Sequence, residues 1–314
     1  MPKRKPAQKA AAATAQEEPT IPEMVELLLE SSLPEHLHQV VAVQLCGLTC
    51  DAENRGALIE GEAIPALVQL LLEPTSPEDV IESAAVALFQ LACDAQNRDA
   101  LNEPGAIPAL VQRLQPESAT DVQLAAASAL QILATDPRYQ SDFATAGAIP
   151  ALVQLLDSNP SGGVDSAAAA VLSNLSYHDG PARSRAAIVS TGAIPGLVQL
   201  LGLDHSAYAQ KRAALTLNNL ATNNAQRGAA ICAAGAIPAL VQLLALDRSA
   251  DVQMAAAGAL CNLGNVDDAQ SEAIVAAGAI PALVQLLGTN LPAVYRRQQQ
   301  QHSGTWRMRL TVRQ

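Results

Sequence analysis

One phrase, GAIPALVQLL, recurs along this chain and constrains its fold more than any other feature. It stands unchanged three times and in near copies four more times, with copies beginning at Thr20, Glu62, Gly105, Gly147, Gly192, Gly235 and Gly278. One proline marks each copy at intervals of 42 to 45 residues: Pro22, Pro65, Pro108, Pro150, Pro195, Pro238 and Pro281. A period in the low forties is typical of solenoids built from units of two or three helices.

Each copy of the phrase predicts a junction between two helices. The glycine suits a left-handed residue that ends one helix, and the proline fits the first turn of the next helix, where no N–H donor is needed. A polar turn and a longer helix follow, and the apolar stripe of that helix reads in one copy Val122, Ala126, Ala129, Leu130 and Leu133. Because a further short segment closes each unit, the sequence predicts three helices per repeat.

The composition favours an all-helical chain over a β-sandwich. Of 314 residues, 49% are hydrophobic but only 2% are aromatic. Alanine and leucine must therefore fill the core, and small side chains let helices pack closely in thin layers.

Charge is unevenly distributed along the chain, whose formal net charge is -11. Residues 20–292 hold 28 acidic and ten basic side chains, whereas the two ends are basic. An acidic body repels phosphate backbones and anionic lipid, and it favours basic partners. We therefore expect a basic protein or peptide partner, and neither nucleic-acid binding by the repeats, membrane insertion nor a small-molecule substrate.

The ends of the chain suggest tails around one repeat domain. We predict a disordered basic, alanine-rich tail at 1–19, a repeat solenoid at 20–292 and an irregular basic tail at 293–314. No apolar run reaches the roughly 20 residues of a membrane-spanning helix, and no secretory signal is recognisable. We expect a cytoplasmic or nuclear protein, with the basic residues 3–5 as a candidate nuclear address.

The three-helix unit, with its GAIPALVQLL junction and its A-x-A-L-x-N-L helix, resembles the armadillo repeat over residues 20–292. The resemblance implies an all-α, right-handed armadillo α-solenoid of about six to seven three-helix repeats, whose longest helices line a concave groove. In this family the groove typically binds extended peptides of other proteins, and the repeats are not catalytic. The implied function is a non-enzymatic protein-protein interaction scaffold that needs no cofactor.

Relatives that bind basic peptides carry an Asn on the groove helix, four residues after a Trp. We call this Asn position the rung position, and along the six long helices it reads Gly47, Gln90, Ile132, Asn174, Asn219 and Asn262. The resemblance implies that the three asparagines, with Gln90 as a partial substitute, bind the backbone of a peptide, because an amide offers both a donor and an acceptor. The Trp position reads Val43, Val86, Ser128, Ala170, Leu215 and Gly258, so no copy keeps the aromatic ring.

Carboxylates follow the rung position by four residues in the first three repeats, at Asp51, Asp94 and Asp136. Two interpretations stay open. The carboxylates steer a basic ligand in the groove, or each one caps the free N–H groups of the short helix that begins there.

The residues give no catalytic or metal-binding motif. Cys46 and Cys50 recur at equivalent repeat positions as Cys261 and Cys93, which indicates packing positions and not zinc ligands. No Gly-rich phosphate loop is present, and the five histidines form no pattern with Ser, Cys or Asp that is typical of a nucleophilic site.

Two alternative functions remain open. One is an importin-α-like nuclear import adaptor, although such adaptors hold Lys and Arg side chains between tryptophans that this chain lacks. The other is the substrate-binding armadillo part of a ubiquitin ligase. That function needs a further module such as a U-box, for which we expect the 19 residues before the first repeat to be too few.

Overall fold

The structure is a computed structural model that describes residues 19–30, 34–73, 76–102, 105–158, 163–177, 184–265 and 268–288. The tail predicted at 293–314, and all but Pro19 of the tail predicted at 1–19, lie outside the described residues. Within these ranges every regular element is helical, and the helices follow the repeated three-helix order that the period predicts. The all-α solenoid is therefore confirmed.

The chain forms two compact units, Met1–Ala151 and Leu152–Gln314. We call them the N-terminal unit and the C-terminal unit. The helices of the N-terminal unit are α1 (Ile21–Leu28), α2 (Glu35–Thr49), α3 (Ala52–Glu60), α4 (Ala63–Leu72), α5 (Glu78–Cys93), α6 (Arg98–Asn102), α7 (Ala106–Gln112), α8 (Thr120–Leu133), α9 (Gln140–Thr145) and the start of α10 (Ala148–Asp157). Its long helices α2, α5 and α8 pack side by side in that order.

The C-terminal unit repeats the same order of helices. After the end of α10 it contains α11 (Val164–Tyr177), α12 (Ser184–Ser190), α13 (Ala193–Gln199), α14 (Ala207–Ala221), α15 (Ala225–Ala233), α16 (Ala236–Gln242), α17 (Ala250–Gly264), α18 (Asp268–Ala276) and α19 (Ala279–Gly288). The long helices α11, α14 and α17 again lie side by side. Each unit therefore presents three rung positions on three neighbouring helices.

The junctions have the predicted geometry. Five of them place a glycine at positive φ before the next helix, at Gly105, Gly147, Gly192, Gly235 and Gly278. In the sixth, Glu62 adopts φ 58° in the same place, which costs a side-chain-bearing residue about 1–2 kcal/mol. The proline that follows lies in the first turn of each new helix, so its missing N–H leaves no hydrogen bond unmade.

The core consists of leucine and alanine from the long helices. Two residues before the rung position a fully buried leucine recurs in every repeat, at Leu45, Leu88, Leu130, Leu172, Leu217 and Leu260. Six residues before it a buried alanine recurs from the second repeat onward, at Ala84, Ala126, Ala168, Ala213 and Ala256. The rung position lies on the opposite side of the helix from these two core positions. It therefore faces outward.

None of the described helices is long and apolar enough to cross a membrane by itself. One pair, Asp268–Ala276 and Ala279–Leu286, reaches that length and composition together, but it is bent by 71°.

Candidate peptide-binding face

The rung positions form a partly exposed face on the long helices of each unit. We use the name rung face for the rung positions together with the positions four, seven, eight and eleven residues before them, of which Ala170, Ala167 and Ser166 on α11 are buried. Asn174, Asn219 and Asn262 are all partly exposed, whereas the leucine that follows each of them is buried. The three predicted asparagines therefore lie together on neighbouring helices of the C-terminal unit.

Asn262 on α17 is held by the preceding long helix, α14. Its Nδ2 lies 2.9 Å from Asn218 Oδ1, 3.1 Å from Thr222 Oγ1 and 3.3 Å from the Asn218 carbonyl oxygen. An amide has only two N–H bonds, so these acceptors take both of them. The oxygen Oδ1 is the atom that remains for a ligand.

Asn219 on α14 repeats this arrangement toward α11. Its Nδ2 donates to Ser176 Oγ at 3.1 Å and approaches the Ser173 carbonyl oxygen at 3.4 Å. Its Oδ1 has one long contact, 3.5 Å from Asn218 Nδ2, and a carbonyl-type oxygen can accept a second hydrogen bond. Two successive rungs thus have their donors turned inward.

Asn174 on α11 has a different environment. Arg212, which lies seven residues before the next rung on α14, donates from Nη1 to Asn174 Oδ1 at 3.4 Å. The Arg212 guanidinium also stacks over the ring of Tyr208, 5.1 Å from its centroid. A cation therefore lies at this rung, and the sequence analysis, which considered only the overall acidic charge of residues 20–292, did not identify it.

Gln90 is the only amide at a rung position of the N-terminal unit, and both of its ends are engaged. Thr49 Oγ1 donates to Gln90 Oε1, and Gln90 Nε2 lies 3.3 Å from Cys50 Sγ. The other two rung positions there are Gly47 and Ile132. Amide binding of a ligand therefore has more support in the C-terminal unit than in the N-terminal one.

The three predicted carboxylates have two different roles in the structure. Asp51 caps α3 by accepting from the Glu53 N–H at 3.0 Å, and Asp136 accepts from the Arg138 N–H at 2.9 Å at the start of the 3₁₀ turn Pro137–Tyr139. Hydrogen bonds from Arg138 also lower the pKa of Asp136.

Asp94 does not follow the capping interpretation. Its side chain makes no cap hydrogen bond, and its Oδ2 instead pairs with Arg55 Nη1 at 2.9 Å. The physical reason is that Arg55 of the preceding repeat reaches this carboxylate. Steering of a ligand by the three carboxylates stays a prediction.

Several arginines stabilise the ends of the long helices by hydrogen bonds. The sequence analysis did not identify them. In four repeats the Nε of an arginine on the closing helix donates to a carbonyl oxygen near the end of its own long helix: Arg55 to Thr49, Arg98 to Ala92, Arg185 to Ser176 and Arg227 to Leu220. Helix-terminal carbonyls have no partner within the helix, so these bonds satisfy them. Three of the arginines lie eight residues after a rung position. This recurrent spacing is the feature of the sequence from which they could have been identified.

Acidic charge is concentrated in the N-terminal unit. Residues 19–151 contain 19 acidic and four basic side chains, against nine and six in residues 152–288. On its rung face, Asp79 and Asp121 are exposed and Glu82 is partly exposed. The acidic excess and the outward amide oxygens therefore lie mostly in different units.

A metal site has no counterpart among the described residues, where no group of three or more His, Cys, Asp and Glu side chains could hold an ion. All five cysteines are free; Cys261 is buried as a packing position, whereas Cys50 and Cys93 are exposed. The packing interpretation is therefore wrong for the last two, which lie on an outward turn near the end of a long helix.

Comparison with known proteins gives one family. The model of the armadillo/beta-catenin-like repeat matches residues 94–135, 142–177 and 223–264. No curated protein matches.

Solved structures give the same family. An engineered protein aligns with a TM-score of 0.79 and 29% identity over 95% of this chain and 70% of its own. The designed armadillo repeat protein YIII(Dq)4CqI aligns with a TM-score of 0.67 and 30% identity over 77% of this chain and 99% of its own. The designed armadillo repeat protein YIII(Dq.V1)4CPAF, in complex with peptide (KR)4, aligns with a TM-score of 0.66 and 29% identity over 77% of this chain and 99% of its own.

Armadillo repeats commonly form scaffolds that bind proteins or peptides, and the family is typically non-enzymatic. The period, the left-handed junctions and the likeness to designed repeats agree with one another. This chain belongs to the armadillo repeat family.

Proposed function

We propose that this chain is a non-enzymatic scaffold that binds an extended, basic segment of another protein along its rung face. The observation that carries the proposal is the set of three asparagines on α11, α14 and α17, at partly exposed positions of neighbouring helices. In two of them, Asn219 and Asn262, the donor atoms bind the preceding helix and the oxygen remains for a ligand.

This arrangement suits a peptide backbone. An amide oxygen accepts from a main-chain N–H whatever the side chain of that residue is, so it holds an extended chain without selecting its sequence. The bonds to Ser176 and Thr222 also fix the amides before a ligand arrives. Fixed side chains lose little conformational entropy on binding, which favours affinity.

The basic character of the partner is supported by charge. Asp79, Glu82 and Asp121 contribute to the acidic excess of the N-terminal unit, and a field of one sign accelerates the approach of a ligand of the other sign. A designed armadillo repeat protein with 29% identity to this chain is in complex with (KR)4. Cytoplasmic or nuclear location is part of the same proposal.

Fluorescence anisotropy with labelled (KR)4 and an acidic control peptide, (ED)4, tests the proposal on the full chain at low and physiological salt. We expect saturable binding of (KR)4 that weakens with salt. Asn219→Ala with Asn262→Ala removes two acceptors worth about 1 kcal/mol each, so we expect affinity to fall about thirtyfold.

The matched control is Gln226→Ala, which removes an exposed amide on α15, away from the rung positions. We expect this variant to bind (KR)4 as the wild type does. Circular dichroism checks that every variant keeps its helix content. Equal affinity of the double variant and the wild type would refute backbone binding by these rungs, and absence of (KR)4 binding at both salt concentrations would refute the basic partner.

A further inference from the structure

Arg212 is a cation that lies on the rung face of the C-terminal unit. It lies on α14 next to the Asn174 rung, its Nη1 is 3.4 Å from Asn174 Oδ1, and its guanidinium stacks on the Tyr208 ring. Stacking against an aromatic ring fixes the plane of a guanidinium and leaves its N–H edge available. The side chain is therefore oriented on the face and not extended freely into solvent.

The hydrogen-bonding capacity of this guanidinium is largely unused. Its Nε is buried and has no hydrogen-bond partner among the described residues, and no described carboxylate forms an ion pair with it. Its neighbour Lys211, in contrast, has Nζ 2.7 Å from Asp251 Oδ2. A guanidinium has five N–H donors, and among the described residues the long contact to Asn174 is the one hydrogen bond that this guanidinium donates.

Three other partly buried arginines do have strong partners, whereas the Nε of Arg248 is, like that of Arg212, buried without one among the described residues. Arg55 binds a helix-end carbonyl and Asp94, and Arg227 binds the Leu220 carbonyl oxygen at 2.7 Å. Arg113 donates to the Leu71 carbonyl oxygen. Arg212 thus differs from these three in lacking a strong acceptor, and leaving a buried donor unpaired costs about 1–3 kcal/mol.

We propose that Arg212 binds the carboxylate of an aspartate or glutamate side chain in the bound segment. The proposal rests on the proposed function, because it assumes that a peptide lies along the asparagine rungs. A carboxylate offers two oxygens that match the two-pronged edge of a guanidinium, and the resulting pair of charge-assisted hydrogen bonds is among the strongest available to side chains.

This assignment changes the expected partner. A segment that is basic throughout would bring Lys or Arg side chains toward the Arg212 cation, and like charges repel. A segment with one acidic residue in register with Asn174 would pair with Arg212, while its basic residues would still be attracted by a chain whose formal net charge is -11. The proposed partner is therefore a basic segment interrupted by an acidic residue at one fixed position.

Peptide pairs that differ only in having Glu or Gln at the same positions test this proposal. Each residue of labelled (KR)4 is replaced in turn by Glu and, in a matched set, by Gln; (ES)4 and (QS)4 form an additional pair without basic residues. We expect Glu to be preferred over Gln by about tenfold at one position of the (KR)4 series, and (ES)4 to be preferred over (QS)4. Arg212→Gln should abolish both preferences.

Two further variants distinguish the effect of the planar guanidinium from the effect of its positive charge. Arg248→Gln removes the same charge from a residue of the C-terminal unit that lies outside the rung face, and it should leave the preference for Glu unchanged. Arg212→Lys keeps the charge but loses the planar edge, and it should keep only part of the preference. Circular dichroism verifies that each variant is folded.

The outcomes also separate this proposal from the preceding one. If (KR)4 does not bind but (ES)4 binds in a manner that depends on Arg212, the basic partner is refuted and the carboxylate site holds. If (KR)4 binds and neither series favours Glu, the scaffold function holds and the carboxylate site is refuted. A Glu preference that persists in Arg212→Gln would also overturn the assignment.

Discussion

Replacing Arg55 by Met tests whether the arginines stabilise the ends of the long helices. The Arg55 side chain is only 17% exposed, its Nε donates to the Thr49 carbonyl oxygen at 2.8 Å and its Nη1 pairs with Asp94 at 2.9 Å. Methionine has a similar length and keeps most of the apolar contacts of the arginine stem. The substitution therefore removes mainly the two polar interactions.

The two interactions differ in expected magnitude. A hydrogen bond from a charged donor to a partly buried carbonyl contributes about 1.5–3 kcal/mol. The ion pair with Asp94, a carboxylate that is 42% exposed, contributes about 0.2–1 kcal/mol because water screens it. We expect Arg55→Met to lower the free energy of unfolding by about 2–3 kcal/mol and Asp94→Ala by less than about 1 kcal/mol.

Urea denaturation followed by circular dichroism gives the overall loss. Repeat proteins depart from two-state unfolding, so hydrogen exchange at the end of α2 provides a local measurement of the same change. Faster exchange in Arg55→Met than in Asp94→Ala would agree with the expected order. Equal destabilisation by the two substitutions would refute the role assigned to the bond between Arg55 and Thr49.

Three further features of the structure, namely the junctions at positive φ, Tyr139 and Cys46, each give a testable prediction. Glu62→Gly should raise the free energy of unfolding by about 1 kcal/mol and Gly235→Ala should lower it by about 1 kcal/mol, because both positions have positive φ; unchanged urea midpoints in both variants would contradict this. Burial, and then the hydrogen bond to Asp99, raises the pKa of Tyr139 to about 12. Because the folded state favours the neutral phenol, Tyr139 contributes to the free energy of unfolding below a pH of about 10, and this contribution is lost as the pH rises toward 12. The urea midpoint of Tyr139→Phe should therefore fall less at alkaline pH than that of the wild type. Burial raises the pKa of Cys46, so at neutral pH its alkylation, followed by mass spectrometry, should be slower than that of exposed Cys50; equal rates would contradict the burial of Cys46.

The repeat, the junctions and the core could be predicted from the sequence because each depends on residues close together in the chain. A glycine followed by a proline three residues later determines a helix junction locally, as at Gly105. Helical spacing likewise determines which residues face the core, so the stripe from Val122 to Leu133 is buried as predicted.

The details of the rung face could not be predicted because they depend on contacts between repeats. Asp51 and Asp94 occupy the same repeat position, yet only the second meets an arginine from the preceding repeat. The inward direction of the Asn262 amide likewise depends on Asn218 and Thr222, about 40 residues earlier in the chain. Sequence spacing identifies which side chains share a helix face, but it does not specify which atom of an amide points outward.

The inward-turned amides of Asn219 and Asn262 present oxygens, and so the partner must supply the hydrogen. Proline is the one residue whose main chain has no N–H, and it therefore cannot bind such a rung. On the proposed binding mode, a partner tolerates many side chains at these registers but not an imino acid. The spacing of prolines in a partner sequence would then matter at the rungs as much as its charges.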